Sequence, residues 1–575
     1  MTNRSETVWP GPDRDDGNEA KTAQPSANGA TADAANGPST YGASPNGVSA
    51  STNGMSPDAT STAPPAASRL DRTMWAVTDV LRRHWVLAMV LTGGVALRAL
   101  AQIGYQPALL YIDTNKYIFG TNFRVNHFGA FDPLGYTLLV LRPVLMFANL
   151  GFVALLQHAF GLAMAVALYV LMLRRGVARW LAALAVAPVL LDAYQLNAEQ
   201  TIMPDVLFEA LIVAGLVVLL WQPRPGLALV VIGGMLLGGS APVRQVGEAL
   251  ILPALVYVVA AARCWRTRLL HGAVLTACFA FPILGYMAYS GVILHEGFGL
   301  SGEGDAYLYG RAAAAADCAT LKIPADLRPL CPAPALAARL GVDGLVNAPP
   351  SPRYTYRVLD PQTGKYVSTQ ADQLQLAYAV FRQQPLRVVR AIARDSVKVF
   401  ALTRDADVGD PPIHRWQFQL NFPVYPPVIT LTGPASPDAT FAAAGGGTMH
   451  VYRPAAVALK DYQLHGGYTP GPVLLVALLA GLAGIFTYRR RGPRALASQP
   501  LALACLLVTG VGAAAMLGAD LYEFSWRYQL PALVTLPIAG ALGATAIARH
   551  RRQRRVAAAP AAGQASRPER AAVSR

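Results

Sequence analysis

Charge is what this 575-residue sequence has least of: only 14% of its residues are Asp, Glu, Lys or Arg. Soluble domains carry about 25%. The chain is also 53% hydrophobic, in runs long enough to cross a bilayer. Together these exclude an ordinary soluble globule and put the chain in the membrane class. Cysteine is scarce too. Five are present, no two are spaced CxxC, and no Cys/His cluster has zinc-site spacing, which excludes a structural zinc. There is no P-loop, no GxGxxG opening a helix after a strand, no HExxH and no GxSxG. The missing P-loop removes the simple case for an ATP-driven pump. No sizeable folded segment is expected on the cytoplasmic side, so a nucleotide-sugar site is hard to build there.

What is present begins with arginine. The formal net charge is +15, a balance that in other settings suits nucleic acid. Here the arginines flank apolar runs: Arg82-Arg83, Arg174-Arg175, Arg489 to Arg491, and the tail Arg551 to Arg555. Arginine in that position sets membrane topology, so a lipid bilayer is the expected partner and nucleic acid is not.

Residues 1–70 are rich in Ala, Ser, Gly, Asn, Pro and Thr and poor in large apolar side chains. They are expected to be a disordered cytoplasmic tail, because they bury too little to offset chain entropy. Ten apolar segments follow, at about 85–103, 150–173, 180–195, 203–221, 226–240, 247–262, 269–291, 471–488, 498–517 and 527–548. The expectation is an all-α polytopic membrane protein of about ten transmembrane helices. An N-terminal transmembrane module over 85–291 includes an outer loop at 104–149, and C-terminal helices occupy 471–548. With ten spans both termini share a side, and the basic turns make that side the cytoplasm of a multi-pass cell-membrane protein. The basic tail 549–575 then lies at the inner surface.

Residues 292–470 are too polar to span, and a small α+β extracytoplasmic domain is expected there. Within it, Ala371 to Phe400 has helical periodicity broken by Pro385. Arg404 to Ser436 reads as loop or short strands. Cys318 and Cys331 fall in the same segment, where a disulfide can persist; bonded and free states both stay open.

The acids of the membrane part gather on the outer side, among them Asp113, Asp132, Glu199, Asp205 and Glu523. Ionisable groups at membrane depth are costly and tend to face a cavity or a partner. The outer loop reads YIDTNKYIFGTNFRVNHFGAFDPLGY from Tyr111. Asp113, with Tyr117 one helical turn on, can act as a general base on an acceptor hydroxyl; a structurally neutral loop acid is the plainer alternative. Asp132 precedes Pro133, which makes it a natural helix N-cap or a residue lining the site. His127 stands without a second histidine, so it reads as a loop residue or an acceptor contact before a metal ligand. Arg244 lies on the outer side against the positive-inside trend, and a planar guanidinium suits phosphate. Arg527 is similar, flanked by Trp526 and Tyr528 at the mouth of the last span. Lys116 is a further phosphate candidate.

Four stretches carry a resemblance to a known superfamily: Y-I-D-T-N-K-Y, F-D-P-L-G-Y-T-L-L, E-Q-T-I-M-P-D-V-L-F from Glu199 to Phe208, and R-Y-Q-L-P from Arg527. In this order and on one side they resemble the motifs of the GT-C membrane glycosyltransferases. That superfamily includes protein O-mannosyltransferases, lipid A aminoarabinose transferases and bacterial arabinofuranosyltransferases. The resemblance covers about 85–290 and 470–548. One departure is that Thr114 follows Asp113 where many members carry Asp-Glu or Asp-Ser.

The resemblance implies an inverting transfer at the outer face. The donor is a polyprenyl-phosphate-linked sugar, mannose or arabinofuranose. The acceptor is a cell-envelope glycan, glycolipid or protein. Asp113 matches the superfamily's first-loop acid and is the implied catalytic base. Arg244, Arg527 and Lys116 are the implied partners of the leaving phosphate. Tyr117, His127, Asp132, Glu199, Asp205 and Tyr528 are the remaining substrate-binding candidates. Some members use a divalent metal and many do not, so the cofactor stays open; no residue pattern here requires one. Two other classes are a transporter or flippase of lipid-linked sugars, which predicts inverted repeats, and a scaffold protein, which predicts that Asp113 is dispensable.

Overall fold

The computed structural model describes residues 78–111, 113–119, 132–295, 297–301, 304–356, 369–422, 428–430, 433–435, 449–487 and 499–558. The tail expected at 1–70, residues 559–575 of the tail expected at 549–575, and the loop carrying Arg124 and His127 lie outside them, while 549–558 continue the last helix. Residues Arg69–Arg575 belong to one compact unit.

Each of the ten apolar stretches is a helix, but they are not ten spans. Among the described residues, five helices are long and apolar enough to cross a membrane: Trp85–Gly104, Leu150–Arg174, Trp265–Leu294, Pro500–Tyr522 and Trp526–Arg555. A sixth arises if the bent pair Arg179–Leu191 and Ala193–Gln200 counts as one span. The expectation of about ten is corrected for a reason of length. A helix rises about 1.5 Å per residue, against a hydrocarbon core of about 30 Å. Leu227–Gly239 has 13 residues and Gly471–Phe486 has 16, so each is too short by itself. Composition counts residues that are apolar and does not reveal where a helix stops.

The bend of 49° in the pair has a local cause. Asp192 is extended, with φ −66° and ψ 122°, and its carboxylate accepts from the Tyr194 N–H at 3.0 Å. The chain thus stops one helix and caps the next on the same residue. Arg404 completes the arrangement, donating to Asp192 at 2.7 Å.

Residues 292–470 are mainly helical among the described residues, not mixed α+β. Gly304–Ala315, Pro334–Asn347, Gln370–Gln383 and Pro385–Lys398 carry them. A core of their own joins Tyr309, Leu327, Leu345, Leu376 and Val380. Pro385 separates the last two helices as expected, because a proline at a first helical position has no N–H to pair. The strands are short: Val428–Thr430 pairs with Gly433–Ala435, antiparallel. Cys318 and Cys331 are bonded to each other.

One more strand pair positions the site. Tyr105–Gln106, at the start of the first loop, pairs antiparallel with His450–Val451. Tyr105 stacks on Phe418 at 5.6 Å and donates to the Gln419 carbonyl at 2.8 Å. Leu109 N–H donates to the Gln200 carbonyl at 2.9 Å, and Ile202 N–H to the Leu109 carbonyl at 3.1 Å. The first loop is therefore held by residues from two distant parts of the chain before it reaches Asp113.

Candidate active site

Asp113 is presented by a short turn. The Thr114 hydroxyl accepts from the Tyr111 N–H at 2.8 Å and donates to the Ile202 carbonyl at 3.0 Å. Thr114 is fully buried. The residue that departs from the superfamily pattern thus anchors the turn, and Asp113 immediately precedes the helix Thr114–Phe119. Lys116, one turn along, reaches Asp113 at 3.4 Å and Asp132 at 2.9 Å. Arg527 approaches Asp113 from the far end of the chain, at 3.5 Å.

Arg527 sits on the 3-10 turn Trp526–Gln529. Pro531 then opens the helix Pro531–Ala558, which explains why R-Y-Q-L-P works as a unit: the turn aims the arginine and the proline starts the helix. The guanidinium lies over the rings of Trp416 and Tyr528, each at 4.7 Å, and of Tyr111 at 5.4 Å. Its Nε is 3.6 Å from Asp205. Arg244 forms an ion pair with the same Asp205 oxygen and covers the Tyr528 ring at 4.5 Å. Both guanidiniums thus contact the Tyr528 ring, and both reach Asp205. The second Asp205 oxygen is buried without a hydrogen-bond partner.

An open pocket of about 120 Å³ adjoins this cluster, with Asp132, Arg244, Tyr307, Glu523 and Tyr528 in its wall. Burial pushes the Asp113 carboxyl up, but Lys116 and Arg527 outweigh it and hold the group below the usual carboxylate range. Glu523 is the reverse case. Burial and then Asp343 hold its carboxyl well above the usual range, against the pull of Arg527 and Arg311. One of its oxygens is buried and unpaired. Tyr111 is raised to about 12, mainly by burial.

The structure brings together Asp113, Lys116, Asp132, Asp205, Arg244, Arg527 and Tyr528. Tyr117 lies beneath them, buried and edge-on to Tyr136 at 5.7 Å. Asp132 does not cap a helix. The N–H groups a cap would accept from are already used: Leu134 donates to the Tyr286 hydroxyl at 2.9 Å and Gly135 to the Pro242 carbonyl at 2.8 Å. Its carboxylate turns to Lys116 instead.

Glu199 is not with this group. It is fully buried, ion-paired to Arg98 at 2.7 Å and hydrogen-bonded to His158 at 2.9 Å. Gly161 makes room for it, since a Cβ there would collide with the Glu199 carboxylate. His127 is outside the described residues. Sequence reasoning misses Tyr111, Trp416 and Tyr307 as site residues and names Glu523 only among the gathered acids. Trp416 carried no motif; its position in a Pro-rich aromatic stretch was the nearest signal. Among the described residues no group of three or more His, Cys, Asp or Glu is arranged to hold a metal ion.

No family model matches the chain, and no curated protein does. Two solved structures from Archaeoglobus fulgidus match weakly. The first is the archaeal oligosaccharyltransferase AglB in complex with an inhibitory peptide and a dolichol-phosphate: 14% identity, TM-score 0.38, covering 85% of this chain and 53% of that one. The second is the oligosaccharyltransferase tethered to an acceptor peptide containing the NVT sequon: 14% identity, TM-score 0.37, covering 83% and 51%. The chain spans about half the length of these proteins. A likeness of that size carries no argument about activity.

Proposed function

We propose that this protein is a membrane glycosyltransferase that moves a sugar from a polyprenyl-phosphate carrier to a cell-envelope acceptor. One observation carries the reading. Asp113, Asp205, Arg244 and Arg527 come from four separate stretches and meet in one ion-paired cluster beside an open pocket. An ionised Asp113 beside Lys116 and Arg527, with Arg244 on the neighbouring Asp205, suits a reaction in which one group takes a proton and a phosphate departs.

In the proposed step the acceptor hydroxyl oxygen attacks the anomeric carbon with inversion. Its proton passes to Asp113 as the bond between that carbon and the phosphate oxygen breaks. The lipid phosphate leaves with the bonding pair and needs charge stabilisation, not an acid. Arg244 and Arg527 supply it by exchanging Asp205 for phosphate oxygens, and Lys116 shares the charge of Asp113 and Asp132. Tyr111, Trp416 and Tyr528 hold the Arg527 fork in place. The carrier bond supplies the energy. The sugar, mannose or arabinofuranose-like, and the acceptor are assigned by the superfamily resemblance alone. The reaction would take place at the outer face of the cell membrane, with both termini cytoplasmic.

A flippase of lipid-linked sugars is less well supported. Its broken helices would open a cavity, whereas the break at Asp192 is filled by Arg404, which also lies over Tyr194 at 4.4 Å and Tyr468 at 5.4 Å. The reading is tested with purified protein and a radiolabelled polyprenyl-phosphate sugar. Wild type should release lipid phosphate and label the acceptor, and Asp113→Asn should do neither. Full turnover by Asp113→Asn would reject Asp113 as the base.

A further inference from the structure

The helix Pro385–Lys398 presents a face that the rest of the described protein does not cover. Its inner side packs through Val388, Asp395 and Ser396, which are buried. On the outer side Leu386 is 69% exposed, Val389 59% and Val397 60%, with Ala393 also exposed. The spacing of 386, 389, 393 and 397 puts all four on one stripe of an α-helix. Arg390 and Arg394 stand exposed along one edge of that stripe, and Arg387 lies beside them, 3.6 Å from Asp317. The one acid of the helix, Asp395, is turned inward to Arg311 at 2.7 Å and Lys398 at 3.1 Å. The free face is therefore apolar in the middle and cationic at one side.

Where the helix ends decides what covers it. The Ala401 carbonyl, just past its C-terminus, accepts from the N–H of Gly471, the first residue of the apolar helix Gly471–Phe486. The Ser396 hydroxyl donates to Asp520 at 2.6 Å, in the last turn of the span Pro500–Tyr522. The C-terminal end of the helix is thus packed against the ends of two apolar helices. Exposed apolar side chains continue at that end: Leu402 on the linking turn, then Val473 and Val476 on the apolar helix. Apolar residues at the middle of a helix and arginines at its edge match the two layers of a bilayer surface. The former enter the acyl boundary, and the guanidiniums reach phosphate headgroups while their stems stay apolar.

We propose that Pro385–Lys398 is an interfacial helix that lies in the membrane surface, with Leu386, Val389 and Val397 in the acyl boundary and Arg390 and Arg394 on anionic headgroups. It anchors the helices Gly304–Ala315, Pro334–Asn347 and Gln370–Gln383 against the bilayer. The proposal does not depend on the activity proposed above, since it rests on the surface of one helix and the position of its ends.

The test uses the full chain in lipid nanodiscs. Cys264, the exposed free cysteine, is changed to Ser, and a nitroxide is attached at Val389→Cys or, separately, at Leu386→Cys. Collision with oxygen, which concentrates in lipid, is compared with collision with a water-soluble nickel chelate. In nanodiscs containing phosphatidylglycerol, both labels should favour oxygen, whereas a label at Arg328→Cys, also exposed, should favour nickel. Replacing Arg390 and Arg394 with Gln should shift the Val389 label toward nickel, and pure phosphatidylcholine should shift it the same way. Labels at 386 and 389 that both favour nickel in the anionic discs would overturn the proposal. Spin–spin broadening between copies would also overturn it, by showing that a second chain covers the face.

Discussion

Arg527 lies 3.5 Å from Asp113, although 414 residues separate them in the chain. The two residues sit at opposite ends of the folded sequence, and each is aimed by its own local device: the Thr114 turn for the carboxylate, the 3-10 turn before Pro531 for the guanidinium. Their meeting gives the first prediction. Asp113→Asn should lower kcat by roughly 100- to 10,000-fold, the usual worth of a positioned general base, while leaving the thermal unfolding of the detergent-solubilised protein near wild type. An unfolding transition lowered together with activity would mark Asp113 as structural.

The same pair fixes a pH profile. Asp113 is held below the usual carboxylate range, so its carboxylate stays ionised well into acid. Because the folded value is depressed, the stability from its ion pairs is present above the unfolded value, about 3.9, and is lost as pH falls through the folded one. The acid limb of kcat/KM should therefore lie below about pH 4. Lys116→Met removes the stronger of the two pulls on Asp113, so its acid limb should move to higher pH. An unmoved limb would separate Lys116 from the ionisation of Asp113.

Arg527→Lys keeps the charge but not the planar fork that spans Asp113, Asp205 and three rings. Transfer should fall by roughly 100-fold or more, the cost of losing one positioned donor to developing charge. Arg527→Ala should in addition destabilise the protein, by roughly 3–5 kcal/mol, because it leaves buried Asp205 short of a partner. Steady-state kinetics and denaturation of the two variants distinguish the charge from the geometry.

Glu199→Gln should behave differently from any of these. It breaks the buried pair with Arg98 and His158, at a cost of roughly 3–5 kcal/mol, and Arg98 is left inside the helix bundle. The fraction that remains folded should transfer at the wild-type rate. A lower kcat per folded molecule would return Glu199 to the site.

Glu523 supplies a pH effect of opposite sign. Its folded value is raised, so the native state holds a proton that the unfolded chain releases near pH 4.3. Stability from this group falls as pH rises through that range toward the folded value. Melting temperature should decline from about pH 5 toward neutrality, and Glu523→Gln should flatten the decline. An unchanged slope in the variant would assign the effect elsewhere.

The positions of the apolar helices, the break at Pro385 and the residues of the first loop were legible in the sequence. Each rests on a property of a few neighbouring residues: hydropathy over one helix, a missing N–H, a carboxylate beside a lysine one turn away. The number of spans was not legible, because hydropathy does not show where Asp192 stops a helix or how far Leu227–Gly239 extends. Asp132 read as a cap because Asp-Pro is a strong local signal; the structure gives its cap donors to Tyr286 and Pro242, which only tertiary packing brings near.

Glu199 and Asp205 show the same division most plainly. Both are acids in one ten-residue stretch, and nothing local tells them apart. The fold turns Glu199 toward Arg98 and His158 in the helix bundle and Asp205 toward Arg244 and Arg527 at the pocket. The sequence by itself determined that this chain has several apolar helices and an acid- and arginine-bearing loop set, because those depend on spacing along one chain. Only the tertiary structure decided which acids meet which arginines, because a charge buried in a low-dielectric interior goes where a partner is supplied, and the partners come from hundreds of residues away.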